Sequence, residues 1–152
     1  MNAIRNSAKA IIIKNGCLLT VKNCDSEGDW YLLPGGGQNL GETLKEALRR
    51  ECIEEIGIEV RVGRLRYIRE YVGKNHEFSE HDGDSHQVEF MFECEFDEEQ
   101  PPKVGNNPDA YQVAIAWLPI NEIHEYRIYP KLLGDLLLSK EDDDNTYLGD
   151  VN

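Results

Sequence analysis

Apolar and polar residues alternate along this chain with two different periods, and the points where the period changes mark its elements. Residues 8–13, with Ile11, Ile12 and Ile13 in unbroken succession, predict a buried strand, and Asn15-Gly16 predicts a tight turn into a returning strand over 17–22. The polar stretch 23–29 predicts a loop, followed by a short aromatic strand at Trp30, Tyr31, Leu32 and Leu33. Over residues 43–56 the apolar positions are Leu44, Ala47, Leu48, Cys52 and Ile56, the three-and-four spacing of a helix with one buried stripe, which Gly57 ends. Residues 59–71 alternate loosely and predict one or two strands bent near Gly63. Val88, Phe90, Phe92, Cys94 and Phe96 alternate with Gln87, Glu89, Met91, Glu93 and Glu95, a strand whose phenylalanine face belongs to a core. After a charged connection over 97–109, residues 111–118 predict a strand, 119–125 a short helical piece, and 129–138 an amphipathic helix carrying Leu132, Leu133, Leu136 and Leu137 on one stripe. This order predicts an α/β domain with a mixed β-sheet between helices.

Length and composition narrow this picture. With 152 residues and 40% hydrophobic content, the chain suits one domain over residues 1–139, followed by an acidic tail over 140–152 with Tyr147 and Leu148 as its available anchors. A net charge of −13, with no basic patch of useful size, argues against DNA and anionic membranes as partners, and it leaves a homodimer open. Cys17, Cys24, Cys52 and Cys94 show no metal or redox spacing, and there is no signal peptide or transmembrane segment, so a reducing cytoplasm is the expected home. His76 and His81 sit among four acids in residues 75–85, with His86 just beyond. Because no ligand spacing of a known metal site fits them, the stretch reads as a surface loop and a candidate lid.

The chemistry concentrates on the first helix. At about 100° per residue, with Glu51 set at zero, Glu55 falls near 40° and Glu54 near 300°, while Leu44, Leu48 and Ala47 lie near 20°, 60° and 320°. Three carboxylates therefore share the apolar arc, where without a counter-ion they would repel and protonate one another. An all-oxygen, highly negative set suits Mg²⁺ or Mn²⁺, which bind carboxylates together with substrate phosphates. Ahead of the helix, Pro34-Gly35-Gly36-Gly37 lets backbone line the turn, since glycine permits close approach.

Residues 36–58, GGQNLGETLKEALRRECIEEIGI, place Gly36, five residues, Glu42, seven residues, Arg50-Glu51, an apolar residue, any residue, Glu54-Glu55, any residue, Gly57 and an apolar Ile58. That spacing closely resembles the Nudix box. The resemblance covers about residues 4–138 and implies the Nudix α/β/α sandwich. It also implies metal-dependent hydrolysis of a nucleoside diphosphate linked to another group X, a small-molecule nucleotide substrate. On the same footing Glu51, Glu54 and Glu55 carry catalysis and hold the metal with the Gly35 carbonyl, Arg50 orients the acids, and Glu42 and Gly36 support the loop. Strands in the position of 88–96 often add one more acid in this family, which makes Glu89 a further supporting candidate. Family members acting on ADP-ribose tend to carry a proline about sixteen residues beyond the box, where Tyr71, Val72 and Gly73 stand here. ADP-ribose, a damaged nucleoside triphosphate, a nucleotide sugar and a dinucleoside polyphosphate all stay open. The alternative is a module that keeps the fold to sense a nucleotide without cleaving it, against which the intact Glu51, Glu54 and Glu55 speak.

Overall fold

The computed structural model describes residues 2–139 and 144–152. The first strand, β1 (Arg5–Ile11), decides the layering, because its side chains alternate between two environments. Ala8 and Ala10 are fully buried and continue with Ile12 into a core shared with Leu48, Cys52 and Ile56 of α1 (Leu44–Ile56). Ile11 faces the other way, into a second core with Tyr67, Met91, Leu118, Ile123 and Leu133. Two cores on opposite faces require cover on both sides. Helix α1 supplies one side, and a 3₁₀ turn at Ile120–Glu125 with α3 (Leu132–Leu138) supplies the other.

The strands form two five-stranded mixed sheets, where the pattern predicts one. The order of the first is β10 (Tyr147–Asp150), β6 (Val60–Val72), β7 (His86–Phe96), β1, β5 (Gly35–Gly37), with β1–β7 and β10–β6 parallel. In the second, β3 (Cys17–Asp25) lies between β4 (Gly28–Leu32) and β8 (Gln112–Pro119), with β2 (Ile13–Lys14) hairpinned to β3 and β9 (Ile128–Tyr129) parallel to β4. Strand β7 is central, so Met91 is buried on the face opposite Phe92. The β6–β7 register shifts on either side of Leu65, close to the expected bend at Gly63.

Four local expectations are corrected. The polar stretch 23–29 is mostly ladder: Asp25 pairs with Gly28, leaving residues 26 and 27 as the turn, where the Glu27 N–H donates to Asp25 Oδ1 at 2.8 Å. The expected loop over 75–85 follows a 3₁₀ turn (Gly73–Asn75) and holds a short helix, α2 (Ser79–Asp82), while the expected helix over 129–138 begins only at Leu132 because Ile128 and Tyr129 pair with β4. The expected tail differs most. Residues 140–143 lie outside the described residues, but Tyr147–Asp150 extends the first sheet along β6. There Tyr147 Oη donates to Glu70, the Val72 N–H and Asn75 Nδ2 donate to Asp150 at 2.9 and 2.8 Å, and Arg69 Nη1 donates to the Val151 carbonyl at 2.6 Å. A strand with few apolar residues is held here by its backbone and by charge-assisted hydrogen bonds, which a hydrophobicity pattern does not register. Among the described residues no helix is long and apolar enough to cross a membrane.

Deleting residues 144–152 removes these bonds and leaves the buried Arg69 short of an acceptor. Thermal melts of the shortened protein are expected to fall by about 5 °C or more. An unchanged melt would show that β10 contributes nothing to stability.

Candidate active site

Helix α1 starts at a full capping box: Thr43 Oγ1 accepts from the Glu46 N–H and the Thr43 N–H donates to Glu46 Oε2. It ends at Gly57, whose φ of 68° closes an αL cap. The connection 97–109, read from sequence only as charged, runs back along this helix end. The N–H groups of Lys103, Gly105 and Asn107 donate to the carbonyls of Ile56, Glu55 and Glu54 at 2.9–3.0 Å, so the last turn, which carries Glu54 and Glu55, is held by this segment.

Glu51 reaches the cleft past the glycine strand β5. A Cβ on Gly36 would lie 2.5 Å from the Glu51 carboxyl carbon, so only glycine leaves room for that carboxylate. Gly35, with φ of 135°, could not carry a Cβ either, since it would meet the Ala8 carbonyl oxygen at 2.0 Å. Arg50 ties the whole turn together. It donates to Glu42 through Nη2 (2.6 Å) and Nε (3.1 Å), to the Gly37 carbonyl (2.8 Å), to Glu51 (3.0 Å) and to Glu54 (3.4 Å). Arg50 and the Asn39 N–H hold the Glu42 carboxyl below its ordinary pKa.

The three helix acids take different places. Glu51 lines a cleft of about 460 Å³ together with Gly35, Gly36 and Gly37. Glu55 is 1% exposed, accepts from the Gly35 N–H at 3.0 Å, and is pushed by burial up to about 8, with Lys9 and that N–H opposing the rise. Glu54 is half-buried on the Arg50 side and is not among the cleft-lining residues described. Glu89 is buried in the same cleft as Glu51; burial opposes its ionisation, but the charges of Arg69 and Lys9 outweigh this and hold its pKa below the ordinary value. Arg69 Nε donates to Glu89 at 2.6 Å.

The donor set fits a hard divalent ion: carboxylate oxygens on both sides of a backbone turn, with one carboxyl buried and without a full counter-charge. Each acid is at present engaged by protein, Glu51 and Glu54 by Arg50, Glu55 by Gly35 and Glu89 by Arg69, and among the described residues no three His, Cys, Asp or Glu side chains gather around one point. The histidines go separate ways: His76 Nε2 lies 2.6 Å from Asp150, His86 Nε2 lies 2.9 Å from Glu70, and His81 borders the cleft.

The rest of the cleft was not foreseen. Its floor is the first sheet, where Arg5, Ser7 and Lys9 alternate on one face of β1 beside Glu89, Arg69 and Tyr71. Four basic groups, Arg5, Lys9, Arg69 and Arg127, thus line the cleft, and Arg69 and Arg127 are paired with carboxylates. One wall is aromatic. Trp30 meets Tyr129 edge-on at 6.3 Å, Phe78 meets Tyr129 at 5.6 Å, and Arg127, bound to Asp25 at 3.0 Å, lies over both Phe78 and Tyr129. The Trp30 indole N–H is buried with no hydrogen-bond partner among the described residues. The signal for the floor was present, as polar Arg5, Ser7 and Lys9 recur every second residue, but the apolar run after them concealed it.

The model of the NUDIX domain family matches residues 4–134. The chain belongs to the Nudix family. Among curated relatives, the nucleoside triphosphatase NudI of Salmonella arizonae and that of Salmonella paratyphi B are each 44% identical over 50 residues, which is 31% of this chain and 36% of theirs, so the match spans about a third of their length. The Nudix fold is equally clear in solved structures. A MutT Nudix hydrolase from Burkholderia pseudomallei superposes with a TM-score of 0.70 at 21% identity, covering 90% of this chain and 99% of that one. A mutator MutT protein from Bacillus halodurans does so with a TM-score of 0.65 at 21% identity, covering 95% and 87%.

Glu55 gives this Nudix site a pH signature. Between its ordinary value of 4.5 and about 8, the folded protein keeps a proton that the unfolded chain has released, so stability falls as pH rises across that window. The slope is at most about 1.4 kcal/mol per pH unit. Melts between pH 4.5 and 8 in chelator are expected to fall for wild type and to be flatter for Glu55→Gln. Parallel curves would show that Glu55 ionises normally.

Proposed function

We propose that this Nudix domain hydrolyses the pyrophosphate linkage of a nucleoside diphosphate bound to another group X, with Mg²⁺ or Mn²⁺ as cofactor. The observation that carries this reading is the passage of the Glu51 carboxylate beside Gly36 into a cleft whose far wall is aromatic. One end offers oxygen donors for a cation and phosphates, the other flat hydrophobic faces for a base. Glu51, Glu54, Glu55 and the Gly35 carbonyl would hold the metal. Bound there, it would polarise phosphoryl oxygens, neutralise the leaving phosphate and lower the pKa of the attacking water.

The chain's own residues do the remaining work. Arg50 fixes the Glu51 and Glu54 carboxylates while its grip on the Gly37 carbonyl and Glu42 keeps the turn in place. Glu89, braced by Arg69, keeps a second negative charge on the cleft floor in a supporting role. Trp30, Phe78 and Tyr129 supply the surface for a nucleobase, and Arg127 adds a charge fixed by Asp25. The name of the Salmonella relatives makes nucleoside triphosphates the first substrates to try. Four free cysteines accord with a cytoplasmic home.

A panel of nucleoside triphosphates, ADP-ribose, nucleotide sugars and dinucleoside polyphosphates, assayed for phosphate release with Mg²⁺ or Mn²⁺, tests the proposal. At least one compound is expected to turn over, and Glu51→Gln to slow it by about a hundredfold or more with an unchanged melt. Binding without turnover across the panel would favour a nucleotide sensor.

A further inference from the structure

Lys9 stands in an unusual place. It projects from β1 onto the cleft floor, directly opposite Gly35 in the β1–β5 register, and its Nζ donates to the Gly35 carbonyl at 3.3 Å. Two other cleft cations have carboxylate partners: Arg69 binds Glu89, and Arg127 binds Asp25. Lys9 has no carboxylate within ion-pair distance among the described residues; its direct contact is a neutral carbonyl. Its charge nonetheless reaches both buried acids, lowering the pKa of Glu55 and of Glu89.

An ammonium is a compact point charge on a flexible stem, able to take or leave a carbonyl without a fixed geometry. The carbonyl it holds belongs to the residue proposed above as a metal ligand, and Glu55, one of the acids it serves, accepts from the N–H of that same residue. We propose that Lys9 is a built-in counter-ion of the carboxylate site, holding the Gly35 carbonyl and offsetting Glu55 and Glu89 until a divalent cation takes that oxygen. Lys9 is therefore a positioning residue that competes with the metal, and this competition rests on the metal reading. An ammonium and a divalent ion at one carbonyl oxygen repel each other, so binding of the ion weakens the ammonium's hold and favours its displacement toward the space where substrate phosphates would lie.

The test compares wild type with Lys9→Met and Lys9→Arg, using thermal melts in chelator and Mn²⁺ titration by calorimetry at fixed pH. Lys9→Met is expected to melt about 5 °C lower in chelator. It is also expected to bind Mn²⁺ about tenfold more tightly, because the competing charge is gone. Lys9→Arg, which keeps the charge, should restore the melt. A Lys9→Met melt equal to wild type overturns the counter-ion role, and an equal or weaker Mn²⁺ affinity overturns the competition. Absence of Mn²⁺ binding by either protein overturns the divalent site and with it the competition, while the melts still decide the counter-ion role. Should Lys9→Met not fold, Lys9→Arg decides: wild-type melting and Mn²⁺ affinity support the role of charge, and tighter Mn²⁺ binding despite the retained charge overturns it.

Discussion

The Arg50 guanidinium is the interaction on which the site's order depends. Three of its nitrogens bind a loop carboxylate, a backbone carbonyl of the glycine strand and two helix carboxylates, so one planar group joins β5, the loop after it and α1. Lysine could not do this, because a point charge lacks the fork that reaches several acceptors in one plane. Without this clamp, Glu51 and Glu54 would be neighbouring charges on a helix with no partner, and the turn between Gly37 and Glu42 would have little to anchor it.

A second constraint is steric. The acids belong to a helix on one side of the first sheet, while the cleft opens on the other, and the connection between them is the glycine strand at the sheet edge. Gly35 packs on the Ala8 carbonyl and Gly36 on the Glu51 carboxylate, each at a distance no side chain could tolerate. Hydrogen bonding from residues 103–107 and from Gln112 to the last carbonyls of α1 then fixes the helix against rotation. Glu55 therefore stays buried, raised in pKa, in a protein that holds only part of the positive charge it calls for.

What the sequence revealed, and what it concealed, follows from the range of each interaction. Helix α1, its Gly57 cap and the carboxylates in its apolar arc were legible because all depend on neighbours three or four residues apart, and the box spacing gave the family. The alternation of β7 was legible for the same reason. By contrast, Arg69 finds Glu89 twenty residues away and the Val151 carbonyl more than eighty away, and Lys9 finds Gly35 across a sheet edge. No periodicity carries such pairings. The strand Tyr147–Asp150 was hidden because it is bound mostly through backbone and carboxylates, and the cleft's positive charge because it is invisible in a net charge of −13.

The claim that Arg50 organises the site through Glu42 is tested most directly by a double-mutant cycle on turnover, with Arg50→Lys, Glu42→Gln and the pair compared with wild type at saturating Mg²⁺. If the two residues act as one clamp, each single change slows turnover by about tenfold or more and the double change is little worse than either. Near-normal turnover of Arg50→Lys, or losses that simply multiply, would contradict the account.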